Sequence, residues 1–248
     1  MALKVLNDGK TFAEVNSDNP TVCFLHGWGR SSNDFNLISS KFDSISIDLP
    51  GFGKSQEPEN SMNPKEYADY LTQLIPDTVE VLVGHSFGGK IAVHMSFIKK
   101  YKNLVLIGAP LMRKNPKNNQ NFRFKLYKFL NNLNLISEKS IEKYKNKYGS
   151  EDYKNAHGIM RDTLVKTVND DLSQLLEFVN TKVHLIWGEN DNVIPLAIGE
   201  EANTKFKESR ITNSLYKTAI NLGVKPNLIV DFARIYGFQV DFQRDIRR

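Results

Sequence analysis

The chain has 248 residues, of which 40% are hydrophobic and 25% charged, and its formal net charge is +5. This length fits one α/β domain of ordinary size, and a mean hydropathy of −0.40 argues against a membrane protein. Cys23 is the only cysteine, which excludes an intrachain disulfide and a cysteine zinc cluster. The chain does not open with a signal-peptide pattern, and its apolar runs are too short to span a bilayer. We therefore expect a cytoplasmic protein without a membrane partner.

The positive charge is concentrated between Lys99 and Tyr148, where thirteen lysines and arginines accompany only two glutamates. A basic block of this kind can bind nucleic acid. This block is rich in asparagine and carries no nucleic-acid fold motif, so we interpret it as a solvated helical segment and expect no nucleic-acid partner.

Short apolar runs alternate with helical patterns along most of the chain. A hairpin is expected first, with strands over 3–6 and 11–15 around a turn at 7–9. Such alternation predicts a mostly parallel sheet that is buried on both faces, with helices on both sides. The further predicted strands are 22–25, 44–47, 80–83, 104–107 and 183–186, and the predicted helices begin at Pro64 and cover 87–100.

The pattern changes between residues 111 and 180, where no strand-like run occurs. Apolar residues recur there at helical spacing, which predicts a helical insertion between two strands, of the size of a lid over an active site. The residues that carry this spacing are Phe122, Leu126, Phe129, Leu130, Leu133, Leu164, Val168, Leu172, Leu175 and Leu176.

Residues 84–88 read GHSFG and fit the G-x-S-x-G pattern between a predicted strand and a predicted helix. The turn from strand to helix leaves little room for a Cβ beside the serine, which explains the two glycines. Ser86 would then lie exposed at a helix N-terminus, which favours negative charge. We interpret Ser86 as a nucleophile; the alternative is an ordinary helix-capping serine.

The segment HGWG at residues 26–29 directly follows the predicted strand 22–25. Acyl transfer needs two backbone N–H groups directed at the developing oxyanion, and Trp28 and Phe87 are the natural pair. If HGWG were the only motif in the chain, we would interpret it as a glycine-rich turn with a tryptophan in the core. The nearby segment DLPGFGKS at residues 48–55 lacks the first glycine of a phosphate-binding loop, because Asp48 occupies that position.

The segment WGEND at residues 187–191 follows the last predicted strand. A carboxylate at the C-terminal end of a strand is placed to orient a catalytic imidazole. Asp191 is the candidate for this role, and Glu189 in the same loop is the alternative.

Taken together, these motifs resemble the α/β-hydrolase superfamily, and within it the small capped carboxylesterase-like members, over about residues 20–206. The resemblance implies an α/β-hydrolase core at 1–110 and 181–208, with a helical lid at 111–180. It implies hydrolysis of a small-molecule carboxylic ester, of small to medium acyl chain, through an acyl-enzyme, with no cofactor and no metal. It makes Ser86 and Asp191 catalytic residues, and His26, Gly27 and His85 supporting ones.

The family places its catalytic histidine after the acid, but residues 192–248 contain no histidine. His157, in the predicted lid, is the only histidine that we expect could approach the site from above. Two hypotheses therefore stay open: a carboxylesterase with impaired activity, and a weak or inactive homologue that acts as a binding module.

The stretch after Glu208 does not fit the family pattern. It predicts two short helices and a strand, and it is similar to a non-catalytic segment of lysostaphin-type cell-wall peptidases over about the last 38 residues. We treat 209–248 as an atypical C-terminal extension without peptidase activity. Its apolar residues predict that it either covers the sheet edge or pairs with a second copy in a homodimer.

Overall fold

The computed structural model describes residues 2–113 and 151–206. Within them, seven strands form one sheet in the order β1-β2-β4-β3-β5-β6-β7. β1 and β2 form the predicted antiparallel hairpin, β2 pairs antiparallel with β4, and all other pairs are parallel. The strands are β1 (Ala2–Val5), β2 (Phe12–Val15), β3 (Val22–Leu25), β4 (Ser44–Ile47), β5 (Val81–His85), β6 (Asn103–Ile107) and β7 (Lys182–Ile186).

Helices lie on both faces of this sheet, as the alternating pattern predicted. The short α1 (Asn36–Ser39) packs with a preceding 3₁₀ turn (Ser32–Phe35) against β3 and β4. On the opposite face lie α2 (Pro64–Leu74) and α3 (Phe87–Ile98), which pack against each other. The described part is completed by α4 (Glu151–Asn155), α5 (Gly158–Asn169), a 3₁₀ turn (Leu176–Phe178) and α6 (Leu196–Lys205).

The start of α2 shows how the sequence specifies a helix locally. Asn63 caps the helix by accepting the backbone N–H of Glu66, and the Glu66 side chain accepts the N–H of Asn63 in return. Pro64 stands at the first helical position, where its missing N–H costs nothing. Tyr67 and Leu71 are then buried on the face that meets α3 and the sheet.

The two faces of the sheet are buried to different degrees. Leu82 and Leu104 belong to the large core under α2 and α3 and are fully buried. On the other face a smaller cluster forms around Phe24 and Phe35, and Val105 and Ile186 at its edge are only half-buried. The expectation of a sheet buried on both faces is therefore correct for one face and incomplete for the other in the described part of the chain.

The insertion between β6 and β7 contains helices and, among its described residues, no strand. Of the positions with helical spacing, Leu164 and Val168 lie in α5, which ends at Asn169, whereas Leu172, Leu175 and Leu176 follow it. Leu172 and Leu176 are fully buried in the turns that follow, whereas Val168 is 60% exposed. The spacing reflected burial against the core rather than one continuous helix. The predicted apolar positions from Phe122 to Leu133 lie outside the described residues, as does the extension 209–248.

Candidate active site

Ser86 occupies a sharp turn between the end of β5 and the start of α3. Its backbone has φ 49° and ψ −109°, and it is the only non-glycine residue in the described ranges with a positive φ. A Cβ on Gly84 would lie 2.5 Å from the carbonyl oxygen of Gly88, and a Cβ on Gly88 would overlap the carbonyl of Leu25. The two glycines of the motif are therefore required by close backbone contacts on both sides of the serine.

The Ser86 side chain makes no capping hydrogen bond with α3. An ordinary capping serine would accept an N–H of the first helical turn, and this one does not. The residue is half-buried at the N-terminus of a twelve-residue helix. The hydroxyl is therefore presented where unpaired N–H groups and the helix dipole favour a negative charge.

The loop after β3 lies directly against this turn. The backbone N–H of Gly88 donates to the carbonyl of His26 at 3.1 Å, and the Trp28 and Phe87 rings pack with centroids 5.3 Å apart. In the part of the chain that the structure describes, the backbone N–H groups of Trp28 and Phe87 have no hydrogen-bond acceptor. Two unpaired N–H groups, one in the loop after β3 and one at the start of α3, are what an oxyanion site requires.

His26 is fully buried and holds two loops together. Its Nε2 accepts the backbone N–H of Leu49 at 3.0 Å, and its Nδ1 donates to the carbonyl of Gly27 at 2.7 Å. Burial lowers the pKa of His26, so the ring is neutral at pH 7. Both ring nitrogens are occupied, which makes His26 a structural residue of the loop and not a proton acceptor for Ser86.

His85 packs against the same loop from the strand side. A Cβ on Gly27 would lie 2.9 Å from Nδ1 of His85, so only glycine allows this approach. Burial lowers the pKa of His85 as well. The structure thus brings the three predicted supporting residues, His26, Gly27 and His85, into contact with one another.

Asp48 organises the loop after β4, a role that the motif reading missed. Its carboxylate accepts the backbone N–H of Ser32 at 2.7 Å and that of Lys54 at 2.8 Å. The Ser55 hydroxyl donates to the backbone carbonyl of Asp48. A Cβ on Gly53 would overlap the carboxylate. The available signal was an acidic residue directly after a buried strand, followed by a loop with two glycines.

Asp191 lies in the loop after β7 and reaches toward the end of β6. Its Oδ1 accepts the backbone N–H groups of Val193 at 2.9 Å and Ile194 at 2.8 Å, which fixes the carboxylate. Its Oδ2 lies 3.5 Å from the position that a Cβ on Gly108 would occupy. Gly108 directly follows β6, whose last residue, Ile107, accepts the N–H of Ser86. Asp191 is therefore half-buried close to the elbow, whereas the alternative acid, Glu189, is exposed.

The three remaining histidines are engaged away from this site. His94 Nε2 lies 3.2 Å from the carboxylate of Asp170. His157 is exposed at the start of α5, with its Nδ1 3.5 Å from Arg161. Nε2 of His184, on β7, lies 3.1 Å from Oδ1 of Asn103, and burial lowers the pKa of His184. His157, the predicted base candidate, has no hydrogen bond to Ser86 or Asp191 within the described ranges.

The order of strands, the serine elbow and the acid loop agree with a comparison against known families. A model described as the alpha/beta hydrolase family matches residues 24–207. The chain belongs to the α/β hydrolase family. Individual proteins that resemble this hydrolase in sequence are also known.

Two of these relatives are bacterial proteins of similar length. The chain is 26% identical over 213 residues to a pimeloyl-[acyl-carrier protein] methyl ester esterase of Wigglesworthia glossinidia brevipalpis, covering 74% of this chain and 80% of the relative. It is also 26% identical over 223 residues to the uncharacterized hydrolase YugF of Bacillus subtilis, covering 78% and 81%.

Solved structures show the same fold at lower identity. An esterase from Exiguobacterium antarcticum superposes with a TM-score of 0.59 at 18% identity, covering 84% of this chain and 88% of the other. A hydrolase from Pseudomonas aeruginosa superposes with a TM-score of 0.60 at 14% identity, covering 95% and 98%. These likenesses support the α/β-hydrolase fold of the chain.

Two further observations concern the C-terminal extension and the membrane. The match ends at residue 207, so the predicted likeness of 209–248 to a peptidase segment lies outside both the match and the described residues. Within the described ranges, no helix is long and apolar enough to cross a membrane.

Proposed function

We propose that this α/β hydrolase is a serine carboxylesterase that acts on esters of small to medium acyl chain through an acyl-enzyme. The observation that carries the proposal is the strained backbone of Ser86, which presents a hydroxyl without a capping role at the N-terminus of α3. Such strain persists only where the surrounding structure enforces it, and it is typical of functional residues.

In the proposed reaction, Oγ of Ser86 attacks the ester carbonyl carbon and the carbonyl oxygen takes up the negative charge. The N–H groups of Trp28 and Phe87 stabilise this oxyanion, because neither has another acceptor among the described residues. Collapse of the intermediate breaks the ester C–O bond, the leaving alkoxide takes a proton from water to become the alcohol, and the acyl group stays on Ser86. Water then hydrolyses the acyl-enzyme through a second oxyanion of the same geometry.

The proton of Ser86 has no imidazole acceptor in this arrangement. His26, His94, His157 and His184 contact other groups, His85 packs against Gly27, and residues 192–248 contain no histidine. Water therefore takes the proton, and we expect slow turnover. Enzymes that lack one member of a catalytic triad retain about 10³–10⁴-fold acceleration from the oxyanion site and from binding.

Two features support the substrate class. The aromatic rings of Trp28, Phe52 and Phe87 pack edge to face beside the proposed oxyanion site, which favours an apolar acyl group. The name of the Wigglesworthia relative describes it as a methyl ester esterase acting on a pimeloyl group. We therefore include the methyl ester of a medium-chain acid among the test substrates, and we propose that the insertion at 111–180 acts as the lid.

The test is hydrolysis of p-nitrophenyl acetate, p-nitrophenyl hexanoate and a medium-chain methyl ester by the parent and by Ser86→Ala. We expect Ser86→Ala to remove the turnover with little change in stability, because only a hydroxyl is lost. Ser96→Ala is the matched control, since Ser96 lies on the same helix and its hydroxyl donates only to the carbonyl of Val93. Equal rates for Ser86→Ala and the parent would reject the proposed nucleophile.

The positions of the histidines favour a second candidate, a homologue that binds esters without hydrolysing them. It predicts saturable binding of a non-hydrolysable ester analogue to the parent, with no turnover and no covalent acyl group on Ser86 by mass spectrometry. Detection of an acylated Ser86 would decide for the enzyme.

A further inference from the structure

A buried ammonium group connects the helix that follows Ser86 with the insertion. Lys90 on α3 is 3% exposed, and its Nζ donates to the carbonyl of Thr167 at 2.9 Å and to the carbonyl of Asp170. Both acceptors lie at the C-terminal end of α5, where carbonyl groups lack the usual N–H donor four residues on, and the Thr167 carbonyl also accepts the backbone N–H of Asp170 at 3.3 Å. The reaction proposed above does not use this lysine.

A second residue on the same face of α3 contacts the same point. His94 lies one turn after Lys90, and its Nε2 is 3.2 Å from the Asp170 carboxylate. Residues four apart on a helix are neighbours on its surface. The backbone carbonyl and the side chain of Asp170 are thus both held by α3.

Burying an ammonium group is costly unless its hydrogen bonds and its charge are compensated. Burial lowers the pKa of Lys90, and the nearby Asp170 and Asp171 oppose this effect. The negative end of the α5 dipole adds a favourable interaction with the positive charge. A lysine with this environment is a specific link between two elements and not a chance surface contact.

α5 also contacts the segment that follows the Asp48 loop. The hydroxyl of Thr163 accepts the backbone N–H of Met62 at 3.1 Å, and Lys166 Nζ donates to the carbonyl of Ser61 at 2.5 Å. The Met160 side chain packs directly on Gly51. α5 therefore bridges α3 and the loop after β4, and both of these elements also build the Ser86 site.

We infer that Lys90 is a positioning residue whose ammonium fixes the C-terminal end of α5 against α3, and that this contact sets how tightly an ester is held at Ser86, through Met160 of α5 and the Gly51 loop on which it packs. The inference rests on the proposed esterase function. Loss of the contact is expected to weaken substrate binding more than the chemical step, because Lys90 does not contact the reacting atoms.

The kinetic test compares Lys90→Met, Lys90→Arg and the matched control Lys99→Met with the parent on p-nitrophenyl hexanoate. Lys99 lies at the end of the same helix and pairs with the exposed Asp77 instead of the insertion. We expect Lys90→Met to raise KM about tenfold, the effect of about 1.4 kcal/mol, with kcat changed less than about twofold. Lys90→Arg is expected to restore most of the affinity, and Lys99→Met to match the parent.

The structural test needs no turnover and uses hydrogen exchange measured by mass spectrometry on the full chain. We expect Lys90→Met to speed exchange in peptides covering residues 158–176, and Lys99→Met to leave them unchanged. If Lys90→Met fails to fold, His94→Leu removes only the second contact, and we expect a smaller rise in KM and in exchange at the same peptides.

The possible outcomes separate the two proposals. Unchanged KM and unchanged exchange in Lys90→Met would overturn the inference, as would a fall in kcat at constant KM. A parent without any ester turnover would reject the proposed function, and the exchange measurement would then decide alone whether Lys90 holds α5.

Discussion

At Ser86 the backbone adopts φ 49° and ψ −109°, a conformation that residues other than glycine rarely adopt. Strain of this kind costs about 1–3 kcal/mol. Two neighbouring hydrogen bonds hold it: the N–H of Ser86 donates to the carbonyl of Ile107 at 2.9 Å, and the N–H of Gly88 donates to that of His26. The serine is kept in place by its surroundings and not by its own preference.

This strain makes the effect of glycine at position 86 predictable. We expect Ser86→Gly to have a larger free energy of unfolding than Ser86→Ala, by about 1 kcal/mol, because glycine adopts this conformation without strain. At Ser96, in the interior of α3, we expect Ser96→Gly to have a smaller free energy of unfolding than Ser96→Ala, by about 1 kcal/mol. Urea unfolding of the four variants measures both differences. If glycine were the less stable residue at both positions, the strain at Ser86 would be absent.

Asp191 provides a prediction about the incomplete triad. In a complete triad the acid holds the histidine, and replacing it by the amide costs about 10⁴-fold in rate. Here Oδ1 of Asp191 accepts two backbone N–H groups, which an asparagine Oδ1 can also accept. We therefore expect Asp191→Asn to retain the parent's rate of p-nitrophenyl acetate hydrolysis within about threefold.

The control for this variant is Asp191→Ala, which loses the two backbone hydrogen bonds and is expected to be less stable. A loss of activity in Asp191→Asn as severe as that in Ser86→Ala would show that a histidine does reach the acid. His157→Ala would then be the first variant to test.

Between elements, Asp8 connects the turn of the β1–β2 hairpin with α2. Its carboxylate accepts the Thr11 hydroxyl at 2.5 Å and the Thr11 backbone N–H at 3.0 Å, and it also accepts the Tyr70 hydroxyl from α2. Burial alone would raise the pKa of Asp8, but these hydrogen bonds outweigh it and lower the pKa to about 2. The charged form is therefore favoured in the folded state.

This lowered pKa predicts how the stability depends on pH. Because the folded pKa lies below the ordinary value of 3.8, the stabilisation is present above pH 3.8 and is lost as the pH falls toward 2. We expect Asp8→Asn to lower the free energy of unfolding by about 1 kcal/mol at pH 7, allowing for partial solvent exposure, and by less near pH 2.5.

Urea unfolding at the two pH values measures this difference. The exposed Asp18, which pairs with Lys4 at 3.4 Å, is the matched control, and Asp18→Asn is expected to change little at either pH. An Asp8→Asn effect of equal size at pH 7 and pH 2.5 would show that charge is not responsible.

At the scale of the whole molecule, β7 is one of the two edge strands of the sheet that the structure describes. Within the described residues it pairs only with β6, and Ile186 and Val105 on the adjoining face are half-buried. An unpaired strand edge is a site where another chain can pair. Residues 209–248 contain enough apolar side chains, among them Leu228, Ile229 and Phe232, to cover such a surface.

A chain that ends at Phe206 tests this expectation. We expect it to be less soluble than the full chain, or to lose a dimer peak in light scattering, because the exposed edge and face would no longer be covered. The full chain with Leu228, Ile229 and Phe232 changed to serine is the control that keeps the length. A soluble and monomeric truncated chain with unchanged thermal stability would show that the extension has no structural role.

The local elements were predictable from the sequence because their signals lie within a few residues. Short runs that are either apolar or alternate between apolar and polar residues indicated the strands, and Asn63 followed by Pro64 indicated the start of α2. The glycines beside Ser86 predicted a tight turn before any contact was known, and the structure shows the backbone atoms that require them. The α/β-hydrolase fold followed from the order of these elements.

The tertiary structure decided what depends on residues far apart in the chain. Hydrogen bonds join Lys90 to Thr167 and Ser32 to Asp48, and no local sequence pattern predicts either of them. α5 ends at Asn169, and Asp170 has an extended backbone and contacts α3, although the apolar spacing continues to Leu176. Burial and hydrogen bonding between distant segments are properties of the packed chain, so the positions of the histidines and the anchoring of the insertion could be read only from the folded molecule.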